Sequence, residues 1–400
     1  NLTLGNGDDT VTGGTGADTI VLGEGTNTLN LANGDYAAGE DITGGGGTDT
    51  IVLTNATTID LTIGTLTDLD EFMGSTGNDT VTMLVSDSIG VFGDIDLAGG
   101  TDVLNTRVSG TVDVSADTAA VVSNVETGNI VGTAGADVLT ATGTQIDAVI
   151  AGSGTINMGA STDVFNLTST SADLNTLGAT DASIQALETI SYSAAASGIT
   201  LILSGQTENF TLTGSASADT MTLGSGVDTV TADAGADTLD AGGGNDIINL
   251  ANGDFGSGES LTGGSGTDSI VLTNATTVNF TTGTLVTVET LTGSGSGDTV
   301  TMGATTFAGL LTTIDLSGGT DTLNVTMSGT TDISAAAATT VSNTENGNLT
   351  GSSGDDVFTL TGTQLNSILG STTGTIAMSG GDDTLVLTST STRFNTTGST

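Results

Sequence analysis

Residues 214–249 read GSASADTMT, LGSGVDTVT, ADAGADTLD and AGGGNDIIN, four nine-residue units in unbroken succession. The sixth place of each is an acid, Asp219, Asp228, Asp237 and Asp246, and the eighth is apolar, Met221, Val230, Leu239 and Ile248. Small residues, many of them glycine, make a tight turn; the Asp leaves it; a strand of three or four residues then points one side chain inward. Two units make a coil of about 18 residues, and stacked coils pair every strand with those above and below at about 4.8 Å. A single coil is too small to hold a core, so burial arises between coils, as a column of aliphatic side chains along the stack.

The same unit recurs as LGNGDDTVT, GGTGADTIV and LGEGTNTLN over 4–30, and singly at 44–52, 74–82, 132–140, 263–271 and 351–359. Fifteen Asp have Gly two residues before them, and in thirteen the residue two after is apolar; Asp41 and Asp382 are the exceptions. With 36% apolar residues overall, chance would give about five matches, so turn and inward residue are coupled.

A longer period overlies the short one. NLANGDYAAGEDITGGGGTDTIVLTN at 30–55 returns as NLANGDFGSGESLTGGSGTDSIVLTN at 249–274, with 19 of 26 positions identical. The offset of 219 runs from Thr3/Thr222 through Asp102/Asp321 to Gln145/Gln364, then becomes 220 through Asp163/Asp383 to Ser171/Ser391. The expected fold is all-β, an elongated parallel β-solenoid in which β-roll blocks join wider parallel β-helix coils. Residues 1–221 would form a first long repeat, with its roll block at about 4–30. Residues 222–400 would form a second, incomplete one, with its block at about 214–249. The chain reads as a segment of a longer tandem array. Ala-rich patches at 116–122, 194–196 and 335–338 fit either short helical turns or small-residue corners.

The nonapeptides resemble the G-G-x-G-x-D-x-U-x repeat of RTX proteins, the hemolysin-type calcium-binding family exported by type I secretion. The looser Thr/Gly/Asp-rich repeat, with phrases such as Asn124 to Thr127 and Leu360 to Thr363, is similar to large bacterial surface, S-layer and adhesin proteins. The resemblance implies several Ca2+ ions between adjacent coils, held by motif Asp of two turns and by turn carbonyls. Carried over by spacing, the pairs are Asp219 with Asp237 and Asp228 with Asp246; Asp9 pairs with Asn27, which brings one negative charge fewer. Asp18 has Tyr36 at the partner position, and Asp49, Asp79, Asp137, Asp268 and Asp356 have no partner 18 residues away. Leu4, Leu22 and Leu223 depart from the pattern at its first Gly, and Ser217 at its inner one. For all these Asp the alternative is an Asx-type turn in which the carboxylate caps its own backbone without metal.

Composition agrees with a cation-dependent fold. The chain has 46 Asp plus Glu against two cations, Arg107 and Arg393, a formal net charge of −44. Nucleic acid and anionic membranes are repelled as partners, and stacked carboxylates call for neutralising cations. No apolar run has membrane-spanning length, so direct membrane insertion is not expected. Mean hydropathy is +0.19, too high for a disordered acidic chain. There is no Cys, His, Lys or Trp. The usual bases, thiolates and Schiff-base formers are therefore missing, and the sequence points away from an enzyme.

The function expected is that of a calcium-binding structural protein outside the cell, a filament, S-layer or adhesin stalk that self-associates. Two alternatives stand beside it. One is the repeat region of a secreted lipase, protease or polysaccharide-modifying enzyme whose catalytic domain lies elsewhere. The other is a sugar- or ice-binding solenoid with a Thr-rich face. Tyr36 and Phe255, equivalent in the duplication, are read as plugs of a bulge or coil end.

Overall fold

A computed structural model describes residues 1–180, 183–370 and 373–394. Its contacts divide the chain into two compact units, Asn1–Ala195 with Leu201–Gln206, and Ala196–Thr200 with Thr207–Thr400. The duplication was counted from Thr3/Thr222, so its second copy starts later than the second unit does; a tandem repeat can be cut at any phase.

Each unit is a parallel β-solenoid. In the second, Leu212 pairs with Val230, Val230 with Ile248, Ile248 with Ile270, Ile270 with Leu291, and Leu291 with Ile314. All six are buried, and they form the aliphatic column that the sequence requires. Their neighbours face outward, because side chains alternate along a strand: Ile248 is 0% exposed and Ile247 37%. The first unit has the same construction, with Leu29, Ile51, Phe72 and Ile95 in register from coil to coil. Leu22 and Leu223 are buried too, which explains an apolar residue in place of the first Gly.

Coil length is read from these registers. Thr211, Thr229 and Ile247 succeed one another at 18 residues, within the roll block. Beyond it the steps widen, from Ile247 to Ser269 and finally from Thr313 to Thr340. The first unit does likewise, from Leu2 and Ile20 to Asp94 and Val121. Roll blocks thus pass into wider β-helix coils, as expected.

The wider coils make room for short helices that the sequence reading did not foresee. Thr142 caps Gly143–Val149 by accepting from the N–H of Gln145 at 3.2 Å, and Gln145 accepts from the N–H of Thr142 at 2.7 Å. Thr361 and Gln364 repeat this capping box at Gly362–Ile368. Each Gln also donates back to the preceding coil: Gln145 to the Asp117 carbonyl and Gln364 to that of Ala336. The Ala-rich patches that contain those carbonyls are turns and extended corners, not helices. Gly128 and Gly347 take the inward place that Leu104 and Leu323 hold one coil earlier. Any Cβ there would strike the end of the adjacent helix, the carbonyls of Val149 and Ile368.

Tyr36 and Phe255 are both buried. The Tyr36 hydroxyl donates to the Leu61 carbonyl at 3.2 Å, whereas Phe255 meets Phe280 edge to face, with ring centres 5.0 Å apart. They pack rather than form a platform.

Candidate metal centre

The motif Asp are stacked into ladders. At each step the backbone N–H of one Asp donates to a carboxylate oxygen on the following coil. Asp228 donates to Asp246 at 2.8 Å, Asp246 to Asp268 at 2.8 Å, and Asp268 to Glu289 at 2.8 Å. A parallel ladder runs from Asp219 to Asp237 at 2.7 Å and on to Glu259 at 3.2 Å. The two pairs expected from a spacing of 18 are therefore in direct contact, and both ladders continue beyond them.

Asp9 donates to Oδ1 of Asn27 at 2.9 Å, as its spacing predicted. The lack of partners for the other acids needs correction. Asp18 donates to Glu40, 22 residues on. Asp49 accepts from the Asn27 amide and donates to Asp70. Asp79 donates to Asp102, Asp137 to Asp163, Asp246 to Asp268, and Asp356 to Asp383, over 22 to 27 residues. The contact is the same as in the roll; the longer coil displaces it along the sequence.

Sequence reasoning missed the ladder ends. Glu40, Glu126, Glu188, Glu259, Glu289 and Glu345 each accept from the last Asp, so six of the nine Glu terminate a ladder. Four of them follow, two residues on, a non-glycine residue in the left-handed region: Asn124, Ala186, Thr287 and Asn343, with φ of 48–53°. Asp70 closes its ladder in the same way, behind Asp68. An acid two residues after a small or polar residue and 21 to 25 residues after a motif Asp was the available signal.

The second carboxylate oxygen sorts the turns into two kinds. In the first, a Ser or Thr four residues before the Asp holds it: the N–H of Ser75 reaches Asp79 at 2.7 Å, Thr133 reaches Asp137 at 2.6 Å, and Ser215 reaches Asp219 at 2.6 Å. Ser294 holds Asp298 and Ser352 holds Asp356, both at 2.7 Å. Each of these hydroxyls also donates to the same carboxylate. In the second kind, Oδ2 of Asp49, Asp102, Asp163, Asp228, Asp237, Asp246, Asp268 and Asp321 is buried and meets no donor among the described residues. An unmet buried carboxylate oxygen is costly, and a hard cation is a partner suited to it.

The surroundings fit calcium. Beside Gly244 a Cβ would collide with the Gly226 carbonyl and lie 3.1 Å from Oδ1 of Asp246; beside Gly235 it would lie 2.8 Å from the Ser217 carbonyl and 2.5 Å from Oδ1 of Asp237. Carboxylate and carbonyl oxygens of adjacent coils converge on these glycines. No group of three or more acidic side chains gathers around one point among the described residues, so backbone carbonyls must complete the six to eight oxygens that calcium takes. Burial, chiefly, pushes the carboxyls of Asp228, Asp237 and Asp246 up to about 6 and that of Glu259 to about 7; neighbouring acids add to it.

Stacked parallel coils with buried acids at glycine turns define a class, the cation-binding β-solenoid. The model of the RTX calcium-binding nonapeptide repeat (4 copies) matches residues 3–36, 203–230 and 222–254, around the two blocks with 18-residue coils. The chain carries RTX calcium-binding nonapeptide repeats in these two stretches, and such repeats bind Ca2+. No curated protein matches the chain. Among the described residues, no helix is long and apolar enough to cross a membrane.

Proposed function

We propose that this chain is a structural segment of an extracellular bacterial protein, a filament, surface layer or adhesin stalk stiffened by calcium between its coils. The observation that supports it is the row of buried carboxylates whose second oxygen meets no donor among the described residues. Without cations these acids repel one another coil by coil; with calcium on the order of millimolar, as outside cells, the repulsion becomes a bridge. Folding is then tied to the compartment: unfolded where calcium is scarce, folded after export by a type I system. The chain serves as scaffold and not as catalyst, for want of His, Cys and Lys.

Circular dichroism in EDTA and after calcium addition tests this. A β-rich spectrum that appears only with calcium supports it, and one indifferent to EDTA contradicts it. Sedimentation velocity over the same titration tests self-association: a calcium-dependent rise in mass supports a filament or layer, and a monomer throughout argues against both.

A further inference from the structure

We propose that each long repeat carries a saccharide-binding cavity beside the ends of two paired strands. It takes an acidic sugar in the first repeat, where Arg107 lines it, and a neutral sugar in the second, where Thr326 stands in place of Arg107. The proposal goes beyond the scaffold reading and involves none of the ladder acids.

The cavity belongs to the wider coils. Strands Thr80–Leu84 and Val103–Arg107 lie side by side and end together, with Leu84 paired to Arg107. Thr299–Gly303 and Thr322–Thr326 do the same, with Gly303 paired to Thr326. Past these ends the chain enters a helical turn, Asp87–Val91 or Ala304–Gly309, and a further short strand, Thr111–Asp113 or Thr330–Asp332. A recess of about 450 Å³ opens there in the first repeat and one of about 420 Å³ in the second, within the range of small-molecule sites. All seven residues that line the first have their counterparts, 219 positions on, lining the second. The two long repeats keep the same opening although its lining has changed.

The chemistry of the lining selects the ligand. In the first repeat Thr62, Ser86 and Ser109 bring hydroxyls, Leu84 and Val112 an apolar wall, and Arg107 the one side-chain cation of its compact unit. In a chain of net charge −44, the Arg107 guanidinium forms no ion pair or hydrogen bond with the described residues. A guanidinium with its donors unused at a recess suits a carboxylate, which it holds by two parallel hydrogen bonds. Acids more than about 8 Å away are screened at physiological salt and do not cancel this attraction. In the second repeat Thr281, Thr305, Thr326, Ser328 and Thr331 bring hydroxyls and no charge. The Thr62 hydroxyl donates to Asp60 at 2.6 Å and that of Thr281 to Asn279 at 2.7 Å, so both keep lone pairs that can accept from a ligand. The two linings thus differ by one charged group on a common frame of hydroxyls. A uronic acid and its parent hexose differ likewise, by one carboxylate on a ring of hydroxyls, and the C–H faces of that ring suit Leu84 and Val112, or Ala304 and Met327.

The experiment is saturation-transfer NMR and calorimetry of the 400-residue chain in calcium, with the methyl glycosides of glucuronic acid and of glucose as probes. The parent is expected to bind the glucuronide in the first repeat and the glucoside in the second. R107T, which carries the residue that the second repeat has at that place, is expected to weaken glucuronide binding by about tenfold, the loss that follows when a charged hydrogen-bond donor is removed, and to leave the glucoside unaffected. T326R is expected to add a second glucuronide site. Equal glucuronide affinity in parent and R107T, no added site in T326R, or a parent that binds neither probe would overturn the proposal. Acetate bound as tightly as the glucuronide would show a site for any carboxylate and would also overturn it. If R107T loses the β spectrum in calcium, R107Q takes its place under the same criteria.

Discussion

The side-chain amide of Asn27 donates to Oδ1 of Asp49 across 2.7 Å, from one coil to the next. Elsewhere in the ladders an Asp stands in that place, so here an amide does part of the work of a cation. Asn27→Asp should lower the stability of the calcium-free chain, since it sets a second carboxylate against Asp49, and should tighten calcium binding in the first block by about tenfold or less. Melting with and without EDTA measures the first effect and calcium titration the second. Equal melting temperatures for variant and parent in EDTA would contradict the role given to Asn27.

The Ser/Thr turns can be converted. Ser75→Gly removes the hydroxyl donor to Asp79 and loosens the backbone that presents the N–H. In EDTA the change should cost about 1–3 kcal/mol, the range for a buried charged group that loses a donor. Calcium should restore part of it, which urea unfolding at several calcium concentrations would show. A loss unaffected by calcium would mean that the hydroxyl does not stand in for an ion.

Acid should substitute for calcium. Asp228, Asp237 and Asp246 at about 6 and Glu259 at about 7 lie above their unfolded values of about 4. The folded chain then binds protons more tightly than the unfolded one. The stabilisation from protonation is full below pH 4 and is lost as pH rises through 6 to 7. In EDTA, stability at pH 5 should exceed that at pH 7.5, and in saturating calcium the difference should shrink or reverse. Chemical denaturation at the two pH values decides; greater stability at pH 7.5 in EDTA would refute the protonation argument.

Ile247 and Ile248 are adjacent in one strand and opposite in environment. Ile248→Ala should cost about 2–5 kcal/mol, as buried aliphatic truncations do. Ile247→Ala should change stability by about 0.5 kcal/mol or less. Urea unfolding in calcium compares them; similar losses would place the strand in the wrong register.

The unit at 214–249 disclosed the solenoid because its Asp and its inward residue two places on are coupled, and the coil of 18 follows from two such units. Asp219 with Asp237, and Asp228 with Asp246, were legible for the same reason. Other features were hidden by their geometry. The partners of Asp79 and Asp137 lie 23 and 26 residues away, because wider coils separate contacts that a fixed spacing would pair. Glu126, Glu188, Glu289 and Glu345 follow left-handed residues that are not glycine, so no glycine punctuates the turn. Ser75 and Ser317 look alike as letters, yet the N–H of Ser75 reaches Asp79 while that of Ser317, left-handed with φ of 64°, donates to Asp315. The helices had a signal in Thr142 with Gln145 and Thr361 with Gln364, but a seven-residue helix carries too little periodicity to stand out among short strands.

In the ladders described, the amide always belongs to the earlier coil and the accepting oxygen to the later one. A chain that is laid down from its N-terminal side therefore leaves one amide waiting at its growing edge, and each arriving turn closes the one before it. Assembly acquires a direction from this, much as a zip fastener does, and a turn that arrives with the wrong residue stalls its predecessor and not its successor.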